Sequence, residues 1–319
     1  MRMFAARATL LATALLIATA QADEFPAWAF PACPPHPSSA PVNTQELSVA
    51  GSPRHFTAAD LQDWSVTKDW FPGEHPVPPP IIVASHAKDK PACGFCHLPD
   101  GSGRPENAKL AGLPASYIVA QVKAFRVKER HAQQEWTPTA LMAMGTADLG
   151  DEEIAAAAEY FSPQPVKSFV RVVETAHVPS HHVSCYMNVP TPGHATPLGQ
   201  TIVEMPVATE SFERRDPHAA YVAYVPMGSI ERGRTLSRGS SDGQRAPCAT
   251  CHGADFKSNA NLPGPALAGR FPGYLFRQLY AFQAGARTGA SAQLMQSVVT
   301  GLSQADLIAL AAYAASLKP

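Results

Sequence analysis

The sequence is poor in charged residues, has few cysteines and contains almost no long apolar runs. Only 16% of its 319 residues are charged, with 25 lysines and arginines against 26 aspartates and glutamates. A chain without an excess of basic residues lacks the electrostatic footprint of a nucleic-acid-binding protein, so we expect no nucleic-acid partner. After residue 22 no stretch has the ~20 apolar residues that a membrane-spanning helix needs. We therefore expect a soluble protein body.

The first 22 residues have the composition of a secretory signal peptide. Arg2 and Arg7 form a short basic region, and the apolar run at 10–18 is too short to span a bilayer. The small residues of "AQA" follow, so we predict cleavage between Ala22 and Asp23 and export to the periplasm. The alternative is a retained membrane anchor. The mature chain of about 297 residues has the length of two domains.

Four of the six cysteines lie in two copies of the pattern Cys-Xaa-Xaa-Cys-His. The copies are CGFCH at 93–97 and CATCH at 248–252. A zinc site would need two such pairs on one metal, and a redox-active pair would need a βαβ context, which the sequence lacks. The adjoining histidine favours covalent attachment of haem, because two thiols one helical turn apart can form two thioethers while the histidine ligates iron. We predict two covalently attached haem c groups, held by Cys93, Cys96, His97, Cys248, Cys251 and His252.

The repeat also predicts the sixth iron ligand, which in electron carriers is commonly methionine. Downstream of the motifs, "LMAMGTADLGDEEIAAAAEYF" aligns with "LMQSVVTGLSQADLIALAAYA" and pairs Met142 with Met295. A buried methionine is ordinarily core filler. The matched positions nevertheless favour Met142 and Met295 as iron ligands, with Met144 as a rival in the first copy.

Helical periodicity repeats along with the motifs. The segments "YIVAQVKAF" at 117–125 and "YLFRQLYAF" at 274–282 both place apolar residues at i, i+4 and i+7, which predicts one buried face on each helix. Ser303, three residues before Asp306, predicts an N-cap for the last helix. Each copy is expected to run from motif helix through a long loop, a helix and a methionine loop to a closing helix.

At this point the sequence resembles the di-haem cytochromes c4. The likeness lies in the two motifs, an "LAG" turn, a Tyr…Gln…Phe helix and a late methionine, as in "AKLAGLPASYIVAQVKAFR" and "PALAGRFPGYLFRQLYAFQAGAR". It covers roughly residues 85–162 and 233–318. The resemblance implies a mainly α fold of two tandem class I cytochrome c domains that face each other across a pseudo-two-fold interface. It also implies electron transfer towards a terminal oxidase or another acceptor.

One departure from the family concerns the carbonyl that orients the haem histidine. In the family a proline two residues before the "LAG" turn supplies that carbonyl. The second copy keeps it as Pro265, whereas the first has Ala108. Because contacts behind the ligand set its orientation and basicity, we expect the two haems to differ in potential.

Two long segments have no counterpart in the family. Residues 23–80 are rich in proline and predict an extended arm. Residues 166–230 predict a small β-rich insert of two to four strands, around "FVRVV", "TIVEM" and "YVAYV". The expected organisation is a signal peptide at 1–22, the arm at 23–80, a first cytochrome c domain at 81–165, the insert at 166–230 and a second domain at 231–319.

The two remaining cysteines, Cys33 and Cys185, lie in the arm and in the insert. In an oxidising compartment they are most simply a disulfide. The alternatives are a Cys185 thiolate that acts near a haem, two free thiols, or intermolecular bonds.

These features favour an electron-transfer protein without catalytic residues. The expected partners are redox proteins, namely a reductase or dehydrogenase donor and an oxidase acceptor, with peripheral association at a membrane complex left open. The alternatives are a cytochrome subunit of a periplasmic dehydrogenase complex, or a di-haem enzyme of the thiosulfate dehydrogenase kind.

Overall fold

The structure is a computed structural model that describes residues 25–34, 43–258, 261–262 and 264–319. The predicted signal peptide lies outside these residues. The described part is mainly helical, and its sheets are small, with two or three strands each. No single helix in it is long and apolar enough to cross a membrane; one bent pair, Ala290–Val299 with Gln304–Ser316, meets the length and composition test.

Twelve α-helices occur in the described residues. In chain order they are α1 Ala58–Gln62, α2 Pro80–Val83, α3 Cys93–His97, α4 Ala115–Arg126, α5 Pro138–Thr146, α6 Asp151–Phe161, α7 Thr209–Glu213, α8 Ser229–Leu236, α9 Ala249–His252, α10 Pro272–Gln283, α11 Ala290–Val299 and α12 Gln304–Ser316. The order α3 to α6 is repeated by α9 to α12, which we call the first and the second repeat unit.

The core of each repeat unit lies between its second and fourth helices. In the first unit the apolar face of α4, with Ile118 and Val122, packs against Ile154 and Phe161 of α6. In the second unit α10 and α12 meet in a larger cluster that includes Phe276 and Leu307. These are the faces that the period of 3.6 residues predicts.

The last helix begins at the predicted cap. The Ser303 hydroxyl accepts a hydrogen bond from the Asp306 backbone N–H at 3.2 Å, and the Asp306 carboxylate accepts one from the Ser303 N–H at 3.0 Å. This reciprocal pair satisfies two N–H groups that a helix start leaves without partners, which confirms the predicted cap.

The methionine segments differ from the expectation of loops. Met142 and Met144 lie within α5, and Met295 lies within α11. Helix α5 begins at Thr137, whose hydroxyl accepts a hydrogen bond from the Ala140 N–H, and Pro138 occupies the first turn. A capping threonine followed by proline is a strong helix start, and this local signal explains the difference.

Residues 166–230 contain seven short strands, more than the two to four predicted. They are β3 Val170–Glu174, β4 His177–Val178, β5 His181–Ser184, β6 Met187–Pro190, β7 Thr196–Pro197, β8 Val203–Pro206 and β9 Tyr221–Val225, while β1 Glu46–Leu47 and β2 Phe56–Thr57 lie earlier in the chain. Strand β9 is central in a three-stranded sheet, parallel to β3 and antiparallel to β8. The extra strands are two- to four-residue pairs, which are too short to give a period-2 signal.

The proline-rich arm is more structured than an extended segment. Strands β1 and β2 pair, helix α1 follows, and Val49, Leu61, Trp70 and Phe71 form a small apolar cluster of their own. The Trp70 indole N–H donates to the backbone carbonyl of Arg214 at 2.7 Å, so the arm is tied to the insert.

Candidate functional site

The first motif forms a single turn of helix, α3, with its two cysteines three residues apart on one face. Cys93 and Cys96 are half-buried and are not joined to each other. Burial raises the pKa of the Cys93 thiol to about 12 and also raises the pKa of Cys96. A redox-active Cys-Xaa-Xaa-Cys pair lowers the pKa of its nucleophile instead, so this microenvironment does not fit that alternative.

One ring nitrogen of the first-motif histidine is occupied by a hydrogen bond to the backbone. His97 is buried, and its Nδ1 donates to the Ala108 carbonyl at 2.8 Å. Burial lowers the pKa of His97, which favours the neutral imidazole. A neutral ring whose Nδ1 carries the proton presents the lone pair of Nε2, which is the form that binds a metal.

The second motif repeats this arrangement. His252 is buried, its Nδ1 donates to the Pro265 carbonyl at 2.8 Å, and burial lowers its pKa. The approach is so close that a Cβ on Gly264 would lie 2.6 Å from His252 Nδ1. Both carbonyls are those named from the sequence, and the replacement of proline by Ala108 leaves the hydrogen-bond length unchanged.

The predicted methionines are half-buried against the apolar interior of their units. Met142 and Cys93 pack against the same cluster, to which Met144 does not belong. Met295 packs with Phe282 and Val299 in a second cluster. A thioether, two thiols and a neutral imidazole in an apolar surrounding form a donor set that fits haem c.

A group of paired residues joins the two repeat units, and sequence reasoning missed it. Arg130 donates to the side-chain oxygens of Gln121 (3.0 Å) and Gln278 (2.8 Å); Arg287 donates to those of Gln278 (3.1 Å) and Gln121 (2.6 Å). Each guanidinium also lies over a phenylalanine of its own unit, Phe125 or Phe282. The repeat offset that aligns the two tyrosine–glutamine helices also aligns these arginines, so the signal was present in the sequence.

Neither of these two arginines has a carboxylate partner among the described residues, and the buried Nε of Arg287 has no hydrogen-bond partner. Burial and the neighbouring Arg287 lower the pKa of Arg130 to about 10. One of these two guanidinium groups is half-buried and the other is buried, so a nearby anion would stabilise both charges. The carboxylates of a bound haem are anions of the required kind, so this feature also fits haem c.

Cys33 and Cys185 are joined in a disulfide, with Cα atoms 4.6 Å apart and a sequence separation of 152. The bond links the arm to the tip of the β5–β6 hairpin. Its sulfurs are therefore not thiolates in this structure. Among the described residues no cluster of three or more His, Cys, Asp or Glu side chains could hold a metal ion.

The segment "ERRD" at 213–216 is only partly a solvated surface. Arg215 packs its guanidinium 3.4 Å from the ring centroid of Phe95 and donates to the Phe95 carbonyl at 2.8 Å. Arg215 adopts a positive φ of 57° and contacts a residue 120 positions away, neither of which a sequence pattern reveals.

Comparison with known proteins agrees with this geometry. The family model for cytochrome c matches residues 232–318. Cytochrome c-554(548) of Halomonas halodenitrificans is 38% identical over 69 residues, which cover 22% of this chain and 82% of the relative. The chain belongs to the class I cytochromes c, a family that carries covalently bound haem c.

Within that family the chain is similar to cytochrome c4. Cytochrome c4 of Azotobacter vinelandii is 27% identical over 227 residues, which cover 69% of this chain and 82% of the relative. A protein named thiosulfate dehydrogenase electron acceptor, from Stutzerimonas stutzeri, is 40% identical over 94 residues, or 30% of this chain and 42% of that protein.

Proposed function

We propose that the protein is an exported di-haem electron carrier with one haem c at each motif. The observation that carries this proposal is the duplicated arrangement of a buried, neutral histidine, whose Nδ1 donates to a backbone carbonyl at 2.8 Å, beside two unpaired cysteines. A single copy would leave the number of electron-transfer centres open. Two copies in one chain support an internal relay.

In this proposal a histidine and a methionine of the same unit would hold each iron, His97 with Met142 and His252 with Met295. The cysteines would fix the rings covalently, and Arg130 and Arg287 would neutralise anionic groups between the units. When bound, haem c supplies reversible one-electron transfer, while the protein sets potential and access. No residue has a catalytic role.

The proposed organisation follows the predicted boundaries, with haem domains at 81–165 and 231–319, the arm at 23–80 and the insert at 166–230. Export to the periplasm rests on the signal sequence at 1–22. Redox proteins on the donor and acceptor sides are the proposed partners, because a carrier of this kind meets them through small, transient surfaces.

The test is a haem count followed by a redox titration. Mass spectrometry of the mature protein and its alkaline pyridine spectrum should give two covalent haems per chain. Optical titration should then resolve two potentials, and the reduced protein should not bind carbon monoxide. One haem or none would contradict the proposal, and rapid carbon monoxide binding by either haem would contradict its methionine ligand.

A second candidate is an electron acceptor for a dehydrogenase. It is supported by the similarity to the protein named thiosulfate dehydrogenase electron acceptor. In that case thiosulfate together with a thiosulfate dehydrogenase would reduce the protein, whereas thiosulfate alone would not. Reduction by thiosulfate alone would instead favour a di-haem enzyme in its own right.

A further inference from the structure

The two motifs differ sharply in what surrounds them. In the first, Gly94 and Phe95 between the cysteines are buried. In the second, the matching Ala249 and Thr250 are exposed. Because the cysteines would bond to the edge of a haem ring, the residues between them would border that edge. Protein would therefore cover the first edge and leave the second open to solvent.

The arm closes one side of the first motif. A Cβ on Gly94 would lie 2.6 Å from the Thr67 hydroxyl of the arm and 2.9 Å from the carbonyl of Ile82, two residues beyond the arm, so only glycine fits there. The Ala92 N–H donates to the Trp64 carbonyl at 2.9 Å, which fixes the arm at the start of the motif helix.

The insert closes another side of the first motif. The Arg215 guanidinium lies on the Phe95 ring and donates to the Phe95 carbonyl. We call residues 64–80 of the arm and 186–218 of the insert the cover. Its two parts are held together by the hydrogen bond from Trp70 to Arg214 and by the 2.9 Å contact of His218 with Glu74. The Cys33–Cys185 disulfide, which lies outside these two ranges, also ties the arm to the insert.

The second unit has a cleft of about 410 Å³ where the first unit has the arm. Ala249, Asp255 and Tyr313 are among its lining residues. The counterpart of Tyr313 in the first unit is Tyr160, which is buried and contacts the His75 ring nitrogen of the arm at 3.0 Å. The same face of the repeat is therefore filled in one unit and vacant in the other.

We infer that the second motif is the port through which electrons enter and leave the protein, and that the cover makes the first haem reachable only through the second. This inference rests on the proposed function and adds to it the route by which electrons enter and leave. The partner is a redox protein that brings its own cofactor edge to the face formed by residues 245–255.

The charges around that face define the partner further. Five basic and four acidic side chains lie in and around it, and two ion pairs, Arg232–Asp306 and Arg234–Glu231, neutralise four of them. The others are Arg238, Arg245, Lys257, Asp242 and Asp255. A rim with an excess of only one positive charge steers a strongly charged partner weakly, so the bimolecular rate should change less than about threefold between low and high salt.

The experiment uses the full holoprotein and iron(II)–EDTA as reductant in a stopped-flow instrument. Thr250→Trp places a bulky side chain on the port, at a motif position where Phe95 shows that an aromatic residue is accommodated. We expect the reduction of both haems, which accounts for the whole change in absorbance, to slow by about tenfold. The matched control is Val183→Trp, on a hairpin residue that is 58% exposed, which should leave the rate unchanged.

If half of the absorbance change of the Thr250→Trp variant keeps the original rate, the first haem exchanges electrons directly with the reductant and the inference is wrong. Removing the cover in the Thr250→Trp background, by Arg215→Ala or by the milder Cys33→Ser/Cys185→Ser pair, should restore a fast phase of about half the amplitude. Absence of that phase in both variants would contradict the role of the cover.

A readout that does not depend on reduction rates uses a soluble gadolinium chelate with the oxidised protein. It should enhance the electron-spin relaxation of one haem signal only, and equal effects on the two would contradict the inference. Haem content is measured first. Fewer than two haems would contradict the proposed function, whereas two haems with equal access would contradict only the inference.

Discussion

Arg130 and Arg287 pair as an isolated antiparallel β-bridge at the contact between the two repeat units. The His131 N–H donates to the Ala286 carbonyl at 3.0 Å, and the Thr288 N–H donates to the Glu129 carbonyl at 2.7 Å. The backbone bridge fixes the two guanidinium groups side by side over their shared glutamines. The contact is a pseudo-symmetric pair of identical interactions.

This geometry predicts strong coupling between the two arginines. Arg130→Ala or Arg287→Ala should lower the free energy of unfolding by about 2–3 kcal/mol, because each loses two hydrogen bonds from a charged donor. The double variant should lose less than the sum, since the arginines share both acceptors. Denaturant unfolding of the oxidised holoprotein measures this, with exposed Arg238→Ala as the control. Additive losses would contradict the shared arrangement.

Gly264 should be intolerant of any side chain. In Gly264→Ala the new Cβ would meet the His252 ring and the Cys251 carbonyl, and so displace the hydrogen bond to Pro265. Contacts behind a metal ligand tune the metal, and a tenfold change in the ratio of the affinities for the two oxidation states corresponds to about 60 mV for a one-electron couple. Redox titration should show the shift in one haem only. Gly73→Ala, where a Cβ meets nothing within 4 Å, should leave both potentials unchanged.

The choice between Met142 and Met144 can be settled by a matched pair of substitutions. Met142→Ala should open the sixth position of the first iron, so that one haem of the reduced protein binds carbon monoxide. Met144→Ala makes the same truncation on the same helix but outside the shared cluster, and its reduced form should bind no carbon monoxide. The opposite result would move the ligand to Met144. Met295→Ala should behave as Met142→Ala does, in the second unit.

Glu204 should make a contribution to stability that falls between acidic and neutral pH. Burial raises its pKa from the ordinary 4.5 to about 7, although Arg277 and the Gly273 N–H favour the charged form. A raised folded-state pKa contributes stability below about pH 4.5 that is lost as the pH rises through about 7, here about 3 kcal/mol.

The Glu204→Gln variant tests this pH dependence. It keeps an oxygen for the Gly273 N–H and should lack that part of the pH dependence in urea titrations. Glu210→Gln, an exposed carboxylate of the same insert, should retain it. Equal pH profiles of Glu204→Gln and the unaltered protein would contradict the raised pKa.

Much of the helical framework was predictable because its signals are local. The helix over 274–282, the closing helix and the Ser303 cap follow from apolar spacing and from side chains three residues apart. The histidine carbonyl acceptors Ala108 and Pro265 followed from the family resemblance, which marks equivalent backbone positions.

The cover could not be predicted in the same way. Its contacts join residues more than a hundred positions apart, such as Arg214 with Trp70 and Arg215 with Phe95. No periodicity encodes such pairs. The short strands of the insert were missed because two to four residues carry too little pattern. The helical methionine segments differed from the predicted loops, in α5 because of a cap signal at its start.

The Cys33–Cys185 disulfide bears on the order of assembly under the proposed function. In the exported chain that we propose, Cys33 would emerge 152 residues before its partner, with Cys93 and Cys96 between them as competing thiols. The closed disulfide ties the arm to the insert beside the first motif. We therefore expect haem attachment to come before oxidation of Cys33, because a chain that oxidised early would close over an empty site.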